Sequence, residues 1–204
     1  MTAVARPDVE ALFERRAAAG GALGADADLV ARACHDMARR FARGGKLVVF
    51  GSGAAATDAQ HLAVEFVHPV IVGKRAFPAL SLGADVATLT GVASRDGVTE
   101  VFARQLRLLA DPDDIALGLS TDGRCELVCR GLQAARQRGL LTVALVGGDG
   151  GAIARRELAD HVLVARSDDP RVVKEVHVTT YHVLWELVHV FFEHPGVLEP
   201  AGRS

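Results

Sequence analysis

The chain has 204 residues, a formal net charge of −2, and is 50% hydrophobic and 24% charged. That size and balance describe one globular domain with a substantial core, and exclude a disordered chain or one that binds nucleic acid by neutralising phosphates. Aromatic residues make up only 5%, too few for a base-stacking platform, and no apolar run approaches the ~18 residues of a membrane span. Three cysteines, Cys34, Cys125 and Cys129, form no zinc-type pairing and leave an odd thiol, as a reducing cytosol allows. No basic stretch followed by an apolar run opens the sequence, so the expectation is a cytoplasmic protein.

From Pro7 to Ala19 the spacing of Val9, Leu12 and Phe13 predicts a helix that Asp8 can cap and Gly20-Gly21 breaks. A second helix, Asp26 to Arg43, gathers Leu29, Val30, Ala33, Met37 and Phe41 on one face and closes at Gly44-Gly45. Strand and helix patterns then alternate. Strands are expected at Lys46–Phe50, Phe77–Leu82, Asp114–Leu119, Leu141–Val146 and His161–Ala165. Helices are expected at Ala54–Val67, Val86–Ala93, Val98–Leu109, Arg124–Arg138, Ala152–Ala159 and Val172–Phe192. Apolar runs without alternation belong to strands covered on both faces, so the fold class is α/β, a doubly wound five-stranded parallel sheet with an N-terminal helical extension. The expected organisation is an extension over residues 1–45 that serves as an oligomer interface, a main domain over 46–194, and a frayed tail over 195–204.

Two turns stand out, each joining an apolar strand to a helix through small residues. The first is Gly51-Ser52-Gly53-Ala54-Ala55 and the second Ser120-Thr121-Asp122-Gly123. A helix N-terminus with uncovered N–H groups suits an anion, and in such a sheet ligands collect beyond the carboxyl ends of the strands. A Ser-Thr pair is also a common N-cap; the occurrence of two such turns in one sheet favours a phosphate cradle. A dinucleotide fingerprint at Gly51-x-Gly53-x-x-Ala56 is disfavoured, because Ile71 and Val72 stand where an acidic residue is required.

The helix after the first turn carries Asp58, His61 and Glu65, with His61 and Glu65 four apart on one face. Such a pair is often only a surface contact worth a few tenths of a kcal/mol. The last helix carries Lys174, His177, His182, Glu186 and His189. Lys174, Val178, His182 and Trp185 fall near one face, and His177 turns away. Each histidine taken singly reads as a hydrogen-bonded packing residue, and His-x3-Glu is a weak zinc signature.

With these residues in view, the chain resembles the sugar isomerase (SIS) domain family, and within it the phosphoheptose isomerases, over nearly its whole length. The resemblance rests on Gly51-Ser52-Gly53 followed by Asp58-Ala59-Gln60-His61 and Glu65; on Glu100-Val101-Phe102-Ala103-Arg104-Gln105; on Gly118-Leu119-Ser120-Thr121 with Gly123; and on Glu175-Val176-His177 with His182. It implies a homotetramer that interconverts sedoheptulose 7-phosphate and D-glycero-D-manno-heptose 7-phosphate through a cis-enediol, with no nucleic acid or membrane partner. It implies that Glu65 is the base and His182 the partner acid/base. It further implies that Ser52, Gly53, Ser120, Thr121, Asp122, Arg124 and Lys174 surround the sugar phosphate. No cofactor is required, although some members hold zinc through residues matching His61, Glu65 and His182. The chain departs from the family pattern in five places. Its phosphate turn is Ser120-Thr121-Asp122-Gly123-Arg124-Cys125 where Ser-Thr-Ser-Gly-Asn-Ser is usual, His68-Pro69 replaces a Gly-Arg, and Lys174 replaces a glutamine. Ser52 stands where the first turn usually has Asn, and Ala93-Ser94-Arg95 where Gly-Asn-Asp is usual. The alternative reading is a non-catalytic sugar-phosphate sensor or a regulator that binds the replication initiator protein.

Overall fold

The computed structural model describes residues 6–198. Helix α1 (Arg6–Gly24) and α2 (Ala27–Ala42) lead into an alternating run: β1 (Leu47–Gly51), α3 (Ala54–Val67), β2 (Ala79–Ser81), α4 (Val86–Asp96), α5 (Val101–Leu109), β3 (Ile115–Ser120), α6 (Glu126–Gln137), β4 (Leu141–Gly147), α7 (Gly151–Arg155), β5 (His161–Ala165) and α8 (Pro170–Glu193). The five strands form one parallel sheet in the order β2-β1-β3-β4-β5. Leu47 faces Ile115, Ile115 faces Leu141 and Val143 faces His161, so the carboxyl ends of the strands lie along one edge.

The unbroken apolar runs of β1, β3 and β4 are buried at every residue, as a two-faced sheet requires. On one face Met37 and Phe41 of α2, Leu62 and Phe66 of α3, and Tyr181, Leu184 and Val188 of α8 pack with Leu47, Leu117 and Leu145. On the other, Phe102 and Leu106 of α5, Val128 and Leu132 of α6 and Ile153 of α7 pack with Phe50 and Val146. Helix α2 is therefore a covering layer of the sheet itself. Helix α1 is the peripheral piece, with Phe13 70% exposed and Val9 and Leu12 also exposed.

Several boundaries correct the sequence reading. Gly20-Gly21 does not break α1, which continues to Gly24 because Ala19 and Leu23 dock on Val172, Val173 and Val176 of α8. Asp8 lies inside the first turn of α1 and not at its cap. The second strand shrinks to Ala79–Ser81, and Val98–Glu100 forms a 3-10 turn before α5. Helix α6 starts at Glu126 with Cys125 as its N-cap, and α7 is only Gly151–Arg155. Past α8, Pro195–Val197 forms a 3-10 turn, and His35 Nε2 donates to the Val197 carbonyl at 3.0 Å, which ties down the start of the expected frayed tail. The rest of that tail, residues 199–204, lies outside the described residues, as do residues 1–5. Cys34 is buried in the core and its thiol is pushed up to about 12 by desolvation, which leaves it a packing residue.

Candidate functional site

Helix α3 begins where β1 ends, and Gly51 makes that junction possible. A Cβ there would sit 2.7 Å from the Ala55 carbonyl oxygen. The close turn aims α3 along the sheet with Asp58 and Glu65 facing inward, 6% and 8% exposed. Helix α8 crosses beside it, and polar contacts hold the pair together. Trp185 Nε1 donates to the Glu65 carbonyl at 2.9 Å, and Lys174 Nζ reaches Asp58 Oδ1 at 2.5 Å and the Ala54 carbonyl at 3.3 Å. Tyr181 Oη lies 2.6 Å from His61 Nδ1.

These contacts assemble a centre around Glu65. His61 Nε2 stands 3.1 Å from Glu65 Oε1, and the His61 and His182 rings meet edge-on with centroids 5.3 Å apart. One donor atom from each of His61, Glu65 and His182 can be chosen so that all lie within 4.8 Å of one another. Burial, helped by the nearby charges of Asp58 and Glu65, pushes the Tyr181 phenol above its ordinary value, so it remains a hydrogen-bond donor. The partners then assign the tautomer of His61: Nδ1 accepts from Tyr181, and Nε2–H donates to Glu65. The i,i+4 pair that could have been a surface contact is one link in a Tyr181–His61–Glu65 chain.

Two imidazoles and a carboxylate within this spacing are also a donor set of the kind that fits zinc. Lys174 does not join the set; its ammonium is bound to Asp58.

The remaining predicted residues, apart from the buried Ser120, divide between two cavities at the carboxyl edge of the sheet. Ser52 and Gly53 line one of about 270 Å³ together with Leu89, Val101 and Phe102. Thr121, Asp122 and Arg124 line another of about 490 Å³ with Asp149, Ser167 and Asp168. The structure thus does not bring the two small-residue turns into one shared cavity. In the second turn, Ser120 is buried and neither it nor Thr121 caps α6. Asp122 Oδ1 accepts from the Arg124 backbone N–H at 2.9 Å and lies 3.4 Å from Ser120 Oγ. The Arg124 guanidinium reaches Asp149 at 3.4 Å. Asp149 is held below the usual carboxylate range by the Gly151 N–H and the nearby Arg124 and Arg155 charges.

His177 does turn away from the His182 face, as the spacing predicts. It is buried against the Val146 carbonyl, burial pushes its imidazole below the usual histidine range, and its Nε2 has no partner among the described residues. His189 is a packing residue, bonded to the Trp185 and Arg75 carbonyls at 2.8 and 2.9 Å. Sequence reasoning missed Tyr181, the single tyrosine of the chain, and the anchoring role of Trp185. The available signal was helical spacing: Tyr181 lies four residues after His177 and four before Trp185, on the buried side of α8.

Comparison with known proteins agrees with this architecture. A family model described as the SIS domain matches residues 19–147. The phosphoheptose isomerase of Solidesulfovibrio magneticus is 42% identical over 168 residues, covering 82% of this chain and 81% of that protein. The phosphoheptose isomerase of Pelobacter propionicus is 42% identical over 160 residues, covering 78% and 84%. Among solved structures, a phosphoheptose isomerase from Francisella tularensis superposes with a TM-score of 0.84 at 28% identity, covering 92% of this chain and 100% of that one. The enzyme of the same name from Neisseria gonorrhoeae gives 0.81 at 26% identity, covering 90% and 97%. The chain belongs to the SIS-domain family and is an isomerase.

Proposed function

We propose that this protein is a phosphosugar isomerase that interconverts an aldose and a ketose, with sedoheptulose 7-phosphate as substrate and D-glycero-D-manno-heptose 7-phosphate as product. One observation carries the mechanism: Glu65 is almost fully buried yet placed beside His61 and His182, with its backbone anchored by Trp185. In this reading Glu65 removes the proton from the carbon next to the carbonyl, and His182 delivers a proton to the carbonyl oxygen, giving a cis-enediol. Glu65 then returns its proton to the former carbonyl carbon while His182 accepts one from the neighbouring hydroxyl. A carboxylate suits the carbon-bound proton, and an imidazole moves protons between oxygens near neutral pH. Ser52, Gly53, Ser120, Thr121, Arg124 and Lys174 are assigned to the sugar phosphate. Bound zinc would be held by His61, Glu65 and His182, and would supply a Lewis acid for the carbonyl oxygen; the His61 ring would then carry its proton on Nδ1 and donate it to Tyr181 Oη, the reverse of the metal-free tautomer. The deciding experiment is incubation of purified protein with sedoheptulose 7-phosphate, followed by NMR. Appearance of the aldoheptose supports the assignment, and no turnover of any heptose or hexose phosphate transfers it to the sensor reading.

Tyr181 acts on the reaction through His61. Tyr181→Phe removes the donor to Nδ1 and lets the ring adopt its other tautomer, so kcat is expected to fall about five- to tenfold, the worth of one hydrogen bond. KM should stay within about twofold, since no assigned phosphate contact changes. A rise in KM with kcat intact would place Tyr181 in binding instead.

Asp122 sets a carboxylate where the family's turn carries a hydroxyl, and it already occupies the Arg124 N–H. Asp122→Ser is expected to tighten sugar-phosphate binding by about two- to fivefold, because it removes a carboxylate whose repulsion of a phosphate in the same water-exposed cavity is about 1 kcal/mol or less. Calorimetry showing unchanged or weaker affinity would show that Asp122 does not compete with the ligand. A homotetramer is proposed as well, because Val9, Leu12 and Phe13 of α1 and Val64 and Val67 of α3 present apolar surface to solvent. Light scattering at micromolar concentration should give four times the protomer mass of 21.5 kDa, and a stable monomer would refute it.

A further inference from the structure

At the opposite end of the sheet from both small-residue turns lies a cavity of about 550 Å³. It is formed where α2 and α6 end and where β4 begins, and its walls include Arg39, Arg40, Arg43 and Arg136, together with Asp36 and Asp160. Seven residues of β4 separate this end from the carboxyl edge, which at about 3.3 Å per residue is roughly 20 Å. Its volume lies in the range of small-molecule sites, about 300–1,000 Å³, but its lining is dominated by charge.

The charges do not cancel within the cavity. Asp160 spends one carboxylate oxygen on the Thr142 N–H and hydroxyl at 2.9 and 2.8 Å. Asp36 faces His161 Nε2 at 2.9 Å. The arginines, in contrast, meet mostly neutral partners. Arg136 donates to the Glu157 carbonyl, and Arg40 to the Pro112 carbonyl at 2.6 Å. Arg40 and Arg43 share a single carboxylate, Asp113, at 3.8 and 3.5 Å. Arg39 is half-buried and has no hydrogen bond or ion pair among the described residues. Arginines in a last helical turn commonly offset the carbonyl ends of that helix. That role accounts for side chains bonded to carbonyls and leaves Arg39 unexplained.

We propose that this cavity is a second anion site, which binds a small molecule through a phosphate group. Guanidinium groups from two helix ends converge on it, and a phosphate accepts from several directions at once, in the fork geometry for which arginine is suited. The cavity exceeds what inorganic phosphate fills, so the ligand is a phosphate ester whose remainder lies against Leu140, Leu141 and Gly139. This site is separate from the isomerase centre and stands whether or not that assignment holds.

The test is calorimetric titration of the full chain with inorganic phosphate, glucose 6-phosphate and AMP at low salt, in wild type and in Arg39→Ala. Because Arg39 bonds to nothing among the described residues, the variant should fold, with a melting curve as the check and Arg39→Gln as the substitute. Removing one charged hydrogen-bond donor is expected to weaken one site per chain by about ten- to hundredfold, and Arg39→Lys, which keeps the charge and loses the fork, by less. Isomerase turnover should be unchanged in all three. The change is therefore read as one weakened binding event per chain, whether wild type binds the probe at two sites or only at this one. The tightest of the three probes identifies a sugar or a nucleotide source. No binding by wild type at millimolar concentration, or an isotherm identical in Arg39→Ala, overturns the proposal.

Discussion

Glu65→Gln is expected to abolish exchange of the substrate's carbon-bound proton with solvent deuterium while leaving sugar-phosphate binding intact. The amide keeps the volume of the buried side chain and can still meet His61 Nε2, which is 3.1 Å from Glu65 Oε1. What it lacks is the basicity to accept a proton from carbon. General acid–base groups contribute on the order of 10²–10⁴-fold each, so turnover should fall by at least about a hundredfold. His182→Gln should lower turnover on the same scale, since it removes the group proposed to protonate the carbonyl oxygen. In the proposed mechanism the two residues act on one intermediate, so the double variant should be little worse than the poorer single variant. Deuterium exchange that persists undiminished in Glu65→Gln would place the base elsewhere. Additive losses in the double variant would show that the two residues serve independent steps.

The second large effect is expected at Gly123, far from any proton transfer. Its φ is +67°, and a Cβ there would lie 2.0 Å from the Gly150 carbonyl oxygen. The loop after β3 and the loop before α7 are locked backbone to backbone at this point, with Ile153 N–H donating to the Gly123 carbonyl at 3.0 Å. Alanine would add a left-handed residue, about 1–2 kcal/mol, and an overpacked contact, about 1–3 kcal/mol. The sum, roughly 2–5 kcal/mol, is a large part of the ~5–15 kcal/mol that holds a domain together. A drop in melting temperature of roughly 5–15 °C follows at this chain length. KM for the sugar phosphate should rise as well, because Thr121, Asp122 and Arg124 ride on the displaced loop. Gly20→Ala in α1 is the control, since nothing lies within 4 Å of the added Cβ and the helix there is regular; its stability should be unchanged or higher. Gly123→Ala melting with wild type would show that the two loops separate freely.

Local signals sufficed for the sheet and most of its covers. The apolar runs at Lys46–Phe50 and Leu141–Val146 read as strands buried on both faces, which the structure sets at Leu47–Gly51 and Leu141–Gly147, and a helix over Ala54–Val67 follows from the small-residue turn before it and its own periodicity. His61 and Glu65, four residues apart on that helix, were legible as neighbours for the same reason. Each of these features depends on residues close in the chain, where the geometry of a helix or strand alone sets the distance.

Tertiary packing decided the rest. Gly20-Gly21 should have ended α1 by propensity, but burying Ala19 and Leu23 against α8 outweighed the roughly 1 kcal/mol that each glycine costs a helix. Asp122 took the Arg124 N–H and delayed α6 to Glu126, a choice that propensity did not separate from a helix opening at Arg124. The Tyr181–His61 bond joins positions 120 apart. The arginine cavity gathers the ends of two helices and the start of a strand. Sequence spacing determines which residues share one element's face. Which faces meet, and so which of Glu65, His61, His182 and Tyr181 touch, depends on how α3 and α8 pack across the sheet.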